Sequence, residues 1–260
     1  MNTTLDLLSK RTSLRKYSEK PISEEDLNLI VEGAMRAPTA GNMMLYSILI
    51  IRDEEKRVQL SKSCDNQPFI AKAPISLIFL ADMQRMEDYF HYSDLHAYCK
   101  KKGVEYRNPG YASLFLAVSD ALIAAQNAVI AAESLGIGSC YIGDIMENYE
   151  FHKDLLNLPD KVFPIGMLCL GYYPENHERI IKPRYAREYI VFEESYHRLS
   201  QEDFKEMFKE GEKNVLPGNR HDAENFGQML YARKFGSDFF KEMERSIKVI
   251  LEHWLSTQAQ

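Results

Sequence analysis

Near the start of the chain, Lys10-Arg11-Thr12-Ser13-Leu14-Arg15-Lys16 packs four cations and two hydroxyls into seven residues, and Lys182-Pro183-Arg184 adds two cations on a backbone stiffened by proline. Guanidinium, ammonium and hydroxyl groups together suit a phosphate monoester, whose oxygens take charge-assisted hydrogen bonds. Taken singly, each cluster also reads as a solvated face. Glycines gather in Gly136-Ile-Gly138-Ser-Cys-Tyr-Ile-Gly143. That spacing is not G-x-G-x-x-G, and it follows a helical pattern rather than a strand, so a Rossmann loop is excluded. Two readings stay open: a helix C-cap with a tight turn, or backbone held close to a flat ligand. The histidines at 91, 96, 152, 177, 197, 221 and 253 show no metal-ligand spacing, and no G-x-S-x-G elbow occurs. No pair of carboxylates is singled out by its surroundings. With no carriers for metal chemistry or hydrolysis, catalysis belongs to a bound cofactor.

The elements that must position these groups follow from periodicity. Ser23 caps a helix, with Asp26 three residues on as in a capping box, and Leu27, Ile30, Val31 and Ala34 form its apolar stripe. Ala37-Pro38-Thr39-Ala40-Gly41-Asn42 breaks it. Residues 46–51 and 75–81 read as buried strands, 54–63 as a surface helix, 84–103 as a partly helical aromatic stretch, 140–142 as a short strand, and 162–173 as a strand broken at Pro164. Residues 114–135 form the longest apolar helix, capped at Gly136. A last helix carries Phe240, Met243, Ile247, Ile250 and Trp254 on one side. Strands are few and βαβ alternation is absent, which predicts an α+β class.

Composition narrows the partners. With 32 Lys plus Arg against 38 Asp plus Glu, the net charge of −6 argues against generic nucleic-acid binding. Cys64, Cys99, Cys140 and Cys169 are widely spread and read as reduced thiols. No charged-then-apolar leader is seen, and unbroken apolar runs fall short of the roughly 20 residues of a membrane span. The expectation is a cytoplasmic protein that binds neither nucleic acid nor membrane, with a main domain at 1–200 and a C-terminal extension at 201–260.

Taken in order, Arg11-Thr-Ser13-Leu-Arg15, Ala37-Pro38-Thr39-Ala40-Gly41-Asn42, the 124–143 helix and glycine loop, Leu168-Cys-Leu-Gly171-Tyr and Lys182-Pro-Arg184 resemble the FMN-dependent nitroreductase superfamily. They are most similar to its larger, oxygen-insensitive NADPH subgroup, which includes NADPH-flavin oxidoreductases. The resemblance implies a mostly antiparallel central sheet wrapped by helices, in an intertwined homodimer with FMN at each of two interface sites. It implies that Arg11, Ser13, Lys182 and Arg184 hold the FMN phosphate, that Thr12 is among the cofactor-binding residues, and that Arg15 supports the pyrimidine side, where charge gathers on reduction. Thr39, Ala40, Gly41 and Asn42 would reach in from the partner subunit, and Gln67 would hydrogen-bond the isoalloxazine edge. Tyr141, Ile142 and Gly143 would line one face, with a backbone N–H of Gly143 or Asp144 near N5. Asp144 stands where the subgroup often has Gly, and Met43, Met44 and Leu45 replace its usual Gln and Pro.

The implied activity is reduction of nitro compounds, quinones or flavins by NADPH or NADH, in ping-pong hydride transfer through FMN N5 without a protein acid–base pair. The alternatives are a specialised reduction on the same fold, such as reductive dehalogenation, and a non-catalytic flavin-binding protein. Lys213, Arg220, His221, Arg233 and Lys234 concentrate cations in 213–234, and Arg220 after Gly218-Asn219 is the candidate for the NADPH 2′-phosphate. The C-terminal helix is expected to clasp the partner.

Overall fold

The computed structural model of the chain describes residues 2–255. The element order is α1 (Thr3–Lys10), α2 (Glu24–Met35), β1 (Tyr46–Ile51), α3 (Glu54–Ser63), α4 (Pro68–Lys72), β2 (Ile75–Asp82), α5 (Gln84–Tyr92), α6 (Leu95–Lys102), α7 (Tyr111–Ser134), β3 (Ile137–Ile142), α8 (Tyr149–Leu156), β4 (Val162–Tyr172), α9 (Gln201–Glu212), α10 (Phe226–Arg233) and α11 (Asp238–Leu255). The α+β expectation holds: the four strands form one antiparallel sheet in the order β1-β2-β4-β3.

β2 is buried along its whole length, as its unbroken apolar run requires. α7 and α2 cover one sheet face, where Ile30, Ala34, Ala121, Ala125 and Ala128 pack with Leu77, Phe79 and Leu168. Leu60, Ile70, Ile78, Met167 and Cys169 build a core on the other face. Alanines on α7 let the helix lie close to the sheet. Ser23 caps α2 by accepting from Asp26 N at 3.0 Å. The Asp26 carboxylate accepts from the Tyr172 hydroxyl at 2.6 Å and so ties α2 to β4.

Three expectations change. β4 is not broken at Pro164: the register slips between Phe79 and Leu80, and a bulge absorbs the missing N–H. β3 runs three residues further back, to Ile137, because β4 pairs with it along its whole length. α11 turns its Ile250 and Trp254 into the chain's own core: Trp254 is fully buried, meets Phe163 edge-on, and donates from Nε1 to the Gly110 carbonyl at 3.1 Å. The described residues up to Arg179, with those from Glu242 onward, form one compact unit, and Ile180–Lys241 form another.

By length and composition, Tyr111–Ser134 is apolar enough to cross a membrane, as no unbroken run in the sequence is. Half of this helix is core: Asp120 and Glu133 are buried on it with hydrogen-bond partners. Its other side leaves Phe115 71% exposed, with Leu116, Leu122 and Ile123 also exposed.

In the second unit, α9 begins with a full capping box at Ser200 and Asp203. α9 meets α10 through Phe204, Phe208 and Phe226. The cation-rich stretch 213–234 is partly helical: Asn225 caps α10 by accepting from Gln228 N at 2.9 Å, and residues 226–233 are helical.

Candidate functional site

Residues 11–15 run as an extended strap along the free edge of β3. Ser13 pairs with Ser139 in a parallel bridge, and Leu14 N donates to the Ser139 carbonyl at 2.9 Å. In extended chain, side chains alternate, so Arg11, Ser13 and Arg15 share one side and Leu14 faces the other. Leu14 is fully buried. A Cβ on Gly138 would lie 2.6 Å from Leu14 Cδ2, so a glycine here lets the strap close on the strand. The spacing Arg-x-Ser-x-Arg is therefore a strand pattern, with its polar side open.

Burial raises the Cys140 thiol, against the pull of Arg15 and Arg11 and a hydrogen bond with Ser13. Arg11 also lies near Tyr141, and Arg15 sits over the Phe69 ring at 5.7 Å. Among the described residues, no carboxylate forms an ion pair with Arg11 or Arg15. Lys10, by contrast, is taken by Asp6 at 2.8 Å. Two unneutralised guanidinium groups beside a hydroxyl, in a chain of net charge −6, fit an anionic group. Gly143 is exposed with open space above its Cα, and Tyr141 is exposed beside it, whereas the Ile142 side chain is buried.

Gln67 begins α4, and its Nε2 donates to Asp144 Oδ2 at 2.7 Å and to the Cys64 carbonyl at 3.0 Å. The structure thus joins two expected site residues from distant parts of the chain. Behind Asp144 lies Glu147, which closes the same turn by donating its N–H to the Asp144 carbonyl at 3.0 Å, and whose buried carboxyl is raised first by burial and then by the charge of Asp144. This pair was not legible in the sequence, where no two carboxylates stood apart from the rest. His152 is fully buried, with Nε2 at 2.7 Å from Ser63 Oγ and Nδ1 at 2.9 Å from the Ile145 carbonyl. Burial pushes its pKa down to about 4. Among the described residues, no His, Cys, Asp and Glu cluster could hold a metal ion.

Thr39, Ala40, Gly41 and Asn42 form a turn held from α7. Asp120 accepts from the Thr39 hydroxyl, from Ala40 N at 3.0 Å and from Leu45 N at 3.2 Å, and Met44 N donates to Thr39 Oγ1 at 2.9 Å. Sequence reasoning missed Asp120, although an acid in the middle of an apolar helix is itself a signal, since a buried carboxylate must be partnered. No hydrogen bond among the described residues joins this turn to the strap or to Gln67.

Lys182, Arg184 and Arg220 belong to the second unit and are exposed. Arg220 follows a braced turn: Asn219 donates to the carbonyls of Leu216 and Ala223, and accepts from the N–H groups of His221 and Ala223. Lys213, grouped with it by sequence, is paired with Glu210 at 2.5 Å.

Comparison with known proteins agrees with this geometry. The nitroreductase family profile matches residues 8–172. An FMN reductase [NAD(P)H] of Bacillus subtilis is 32% identical over 203 residues, covering 78% of this chain and 77% of the relative. The NADPH-flavin oxidoreductase of Vibrio harveyi is 30% identical over 210 residues, 79% of each chain. Nitroreductase A of Vibrio parahaemolyticus superposes with a TM-score of 0.78 at 26% identity, over 98% of both chains. The match spans the strap, the turn at Thr39, Gln67 and the whole sheet, and the chain belongs to the nitroreductase family.

Proposed function

We propose that this chain passes electrons from NAD(P)H by way of FMN to nitro compounds, quinones or free flavins in a ping-pong cycle. It is an FMN-dependent NAD(P)H oxidoreductase. The observation that carries the reading is the strap, which presents Arg11, Ser13 and Arg15 on one side with no carboxylate among the described residues paired to either arginine. The names of the relatives, FMN reductase and NADPH-flavin oxidoreductase, point the same way.

FMN, when bound, supplies the hydride chemistry. The chain's work is to bind, orient and neutralise. Arg11 and Ser13, with Lys182 and Arg184, hold the phosphate. Arg15 lends positive charge to the pyrimidine side, Gln67 bonds the ring edge, and Tyr141, Ile142 and Gly143 form the surface along one face. A backbone N–H of Gly143 or Asp144 serves N5. The 1–200 portion carries the FMN site, and 201–260 is the extension. In it, Arg220 favours NADPH through the 2′-phosphate.

The chain works as a homodimer in the cytoplasm. The apolar side of α7, with Phe115, Leu116, Leu122 and Ile123 exposed, is the support for a second copy. Thr39, Ala40, Gly41 and Asn42 then serve the partner's flavin. Cys64, Cys140 and Cys169 are buried and free, as suits a reducing compartment.

The test is the visible spectrum of purified protein, followed by turnover of NADPH with a quinone. A flavin spectrum with turnover supports the reading; protein that takes up no added FMN overturns it. Arg184→Ala should lower FMN occupancy, since a charge-assisted contact is worth roughly 1.5–3 kcal/mol. Arg220→Ala should raise KM for NADPH about ten- to thirtyfold with little change for NADH, the equivalent of roughly 1–2 kcal/mol.

A further inference from the structure

The pair of carboxyls behind Gln67 has a consequence for the flavin edge. Both neighbours of Gln67 Nε2, Asp144 Oδ2 and the Cys64 carbonyl, are acceptors, and this fixes the amide with its NH2 toward the protein and its carbonyl toward the site. The orientation depends on Asp144 being an acceptor. Glu147 is 4% exposed, its Oε1 has no hydrogen-bond partner among the described residues, and it sits on the same turn as Asp144, its N–H donating to the Asp144 carbonyl at 3.0 Å. Two neighbouring carboxyls, one of them buried, resist being ionised together, so at neutral pH one proton stays on the pair. Glu147 is the buried member and Asp144 already accepts an N–H from Gln67, so the proton belongs to Glu147.

Resting on FMN lying beside Gln67, as proposed above, we infer that Glu147 is a positioning residue: its proton keeps Asp144 an acceptor, holds the Gln67 carbonyl toward the flavin edge, and links electron uptake there to uptake of a second proton. The carbonyl suits the one N–H donor on the edge of the oxidised ring, at N3. Burial first, then Asp144, Asp65 and Glu242, push Glu147 up to about 8.

The groups facing Glu147 come from every element around it. Asp144 lies on its own turn, Asp65 follows α3, and Glu242 lies on α11. The Cys64 thiol and His152 imidazole are neutral, since burial raises the first and lowers the second. Arg245 is the cation nearby, shared between Glu242 and Glu150. Reduction brings two electrons and one proton to the ring and makes its surroundings more negative. Glu147, if ionised, then takes a second proton from solvent.

The test is the midpoint potential of protein-bound FMN against pH, by spectroelectrochemical titration. In the native protein the slope should correspond to one proton per two electrons at neutral pH and steepen toward two protons near pH 8, where Glu147 ionises in the oxidised form. In Glu147→Gln the slope should stay at one proton throughout. Asp65→Asn, at an exposed position, removes one facing charge and should move the steepening to lower pH. It provides the reading if Glu147→Gln does not fold. A native slope that never steepens, or steepening that persists unmoved in both variants, overturns the inference while leaving the FMN assignment standing. A native protein that binds no FMN overturns the assignment, and this inference with it.

Discussion

The strap at 11–15 and the segment 180–241 both carry cations suited to phosphate, yet they are built in opposite ways. The strap is bridged to β3, and Leu14 pins it from behind in the core. Between Ile180 and Lys241, among the described residues, Ala223 alone is buried. There, α9 and α10 rest on an aromatic stack, with Phe208 5.4 Å from Tyr185 and 6.1 Å from Phe226. Surface pairs three residues apart add to it at Glu202–Lys205 and Glu206–Lys209. A cofactor that stays bound through every turnover gains from cations fixed in advance. A nucleotide that arrives and leaves each cycle is better served by a segment of low local stability. On the proposed function, the contrast suits the strap to retention and the stretch around Arg220, rather than Lys182 and Arg184, to exchange.

The largest effect should come from the strap's anchor. Leu14→Ala removes a fully buried side chain against Gly138 and should cost about 2–5 kcal/mol in denaturant unfolding. FMN affinity should fall with it, because Arg11, Ser13 and Arg15 lose their common register. Retained stability together with retained FMN affinity would break the comparison at its first term.

Next comes acid lability in the core behind Gln67. His152 has its pKa depressed from 6.5 to about 4 by burial, so the unfolded chain binds its proton first as pH falls. The stability it contributes is complete above pH 6.5 and lost on descent to about pH 4. The full shift is worth about 3 kcal/mol. His152→Asn should flatten that limb of the stability profile, as measured by urea unfolding at neutral and acid pH. An unchanged acid limb in this variant would show that carboxylates such as Glu150, held down at about 2 by Arg245, set it instead.

Much of the fold was legible because it rests on local pattern. The Ser23 cap, the apolar run of β2 and the glycine after α7, with Gly136 at φ 74°, each state their structure in a few residues. The strap was legible as a motif, but its geometry was not, since nothing local says that 11–15 adds to the edge of a strand more than a hundred residues away. For the same reason the Gln67–Asp144 bond, the hold of Asp120 on the Thr39 turn, and the burial of Glu147 beside Asp144 were invisible. Each joins groups whose types are common and whose meeting is decided by packing. Trp254 misled in the other direction: an apolar stripe on a terminal helix reads equally as cover for a partner and as core, and the bond to the Gly110 carbonyl decides for core.

The smaller predictions concern the second region. Phe208→Ala takes one ring from a half-exposed stack, so its cost should be about 1–2 kcal/mol, toward the low end of aromatic truncations, because little of the ring leaves water on folding. Hydrogen exchange should accelerate in α9 and α10 while the amides of β2 keep their protection. If β2 loosens equally, the two regions unfold together and the contrast between them fails. Lys209→Met should do less still. Its ammonium meets Glu206 at 3.4 Å with both side chains more than half exposed, so the pair is screened and contributes no more than about 0.5 kcal/mol. Adding salt to the native protein should mimic the substitution, and a clear loss of α9 protection in Lys209→Met at high salt would mean that the stem of Lys209, packed along the helix, matters more than its charge.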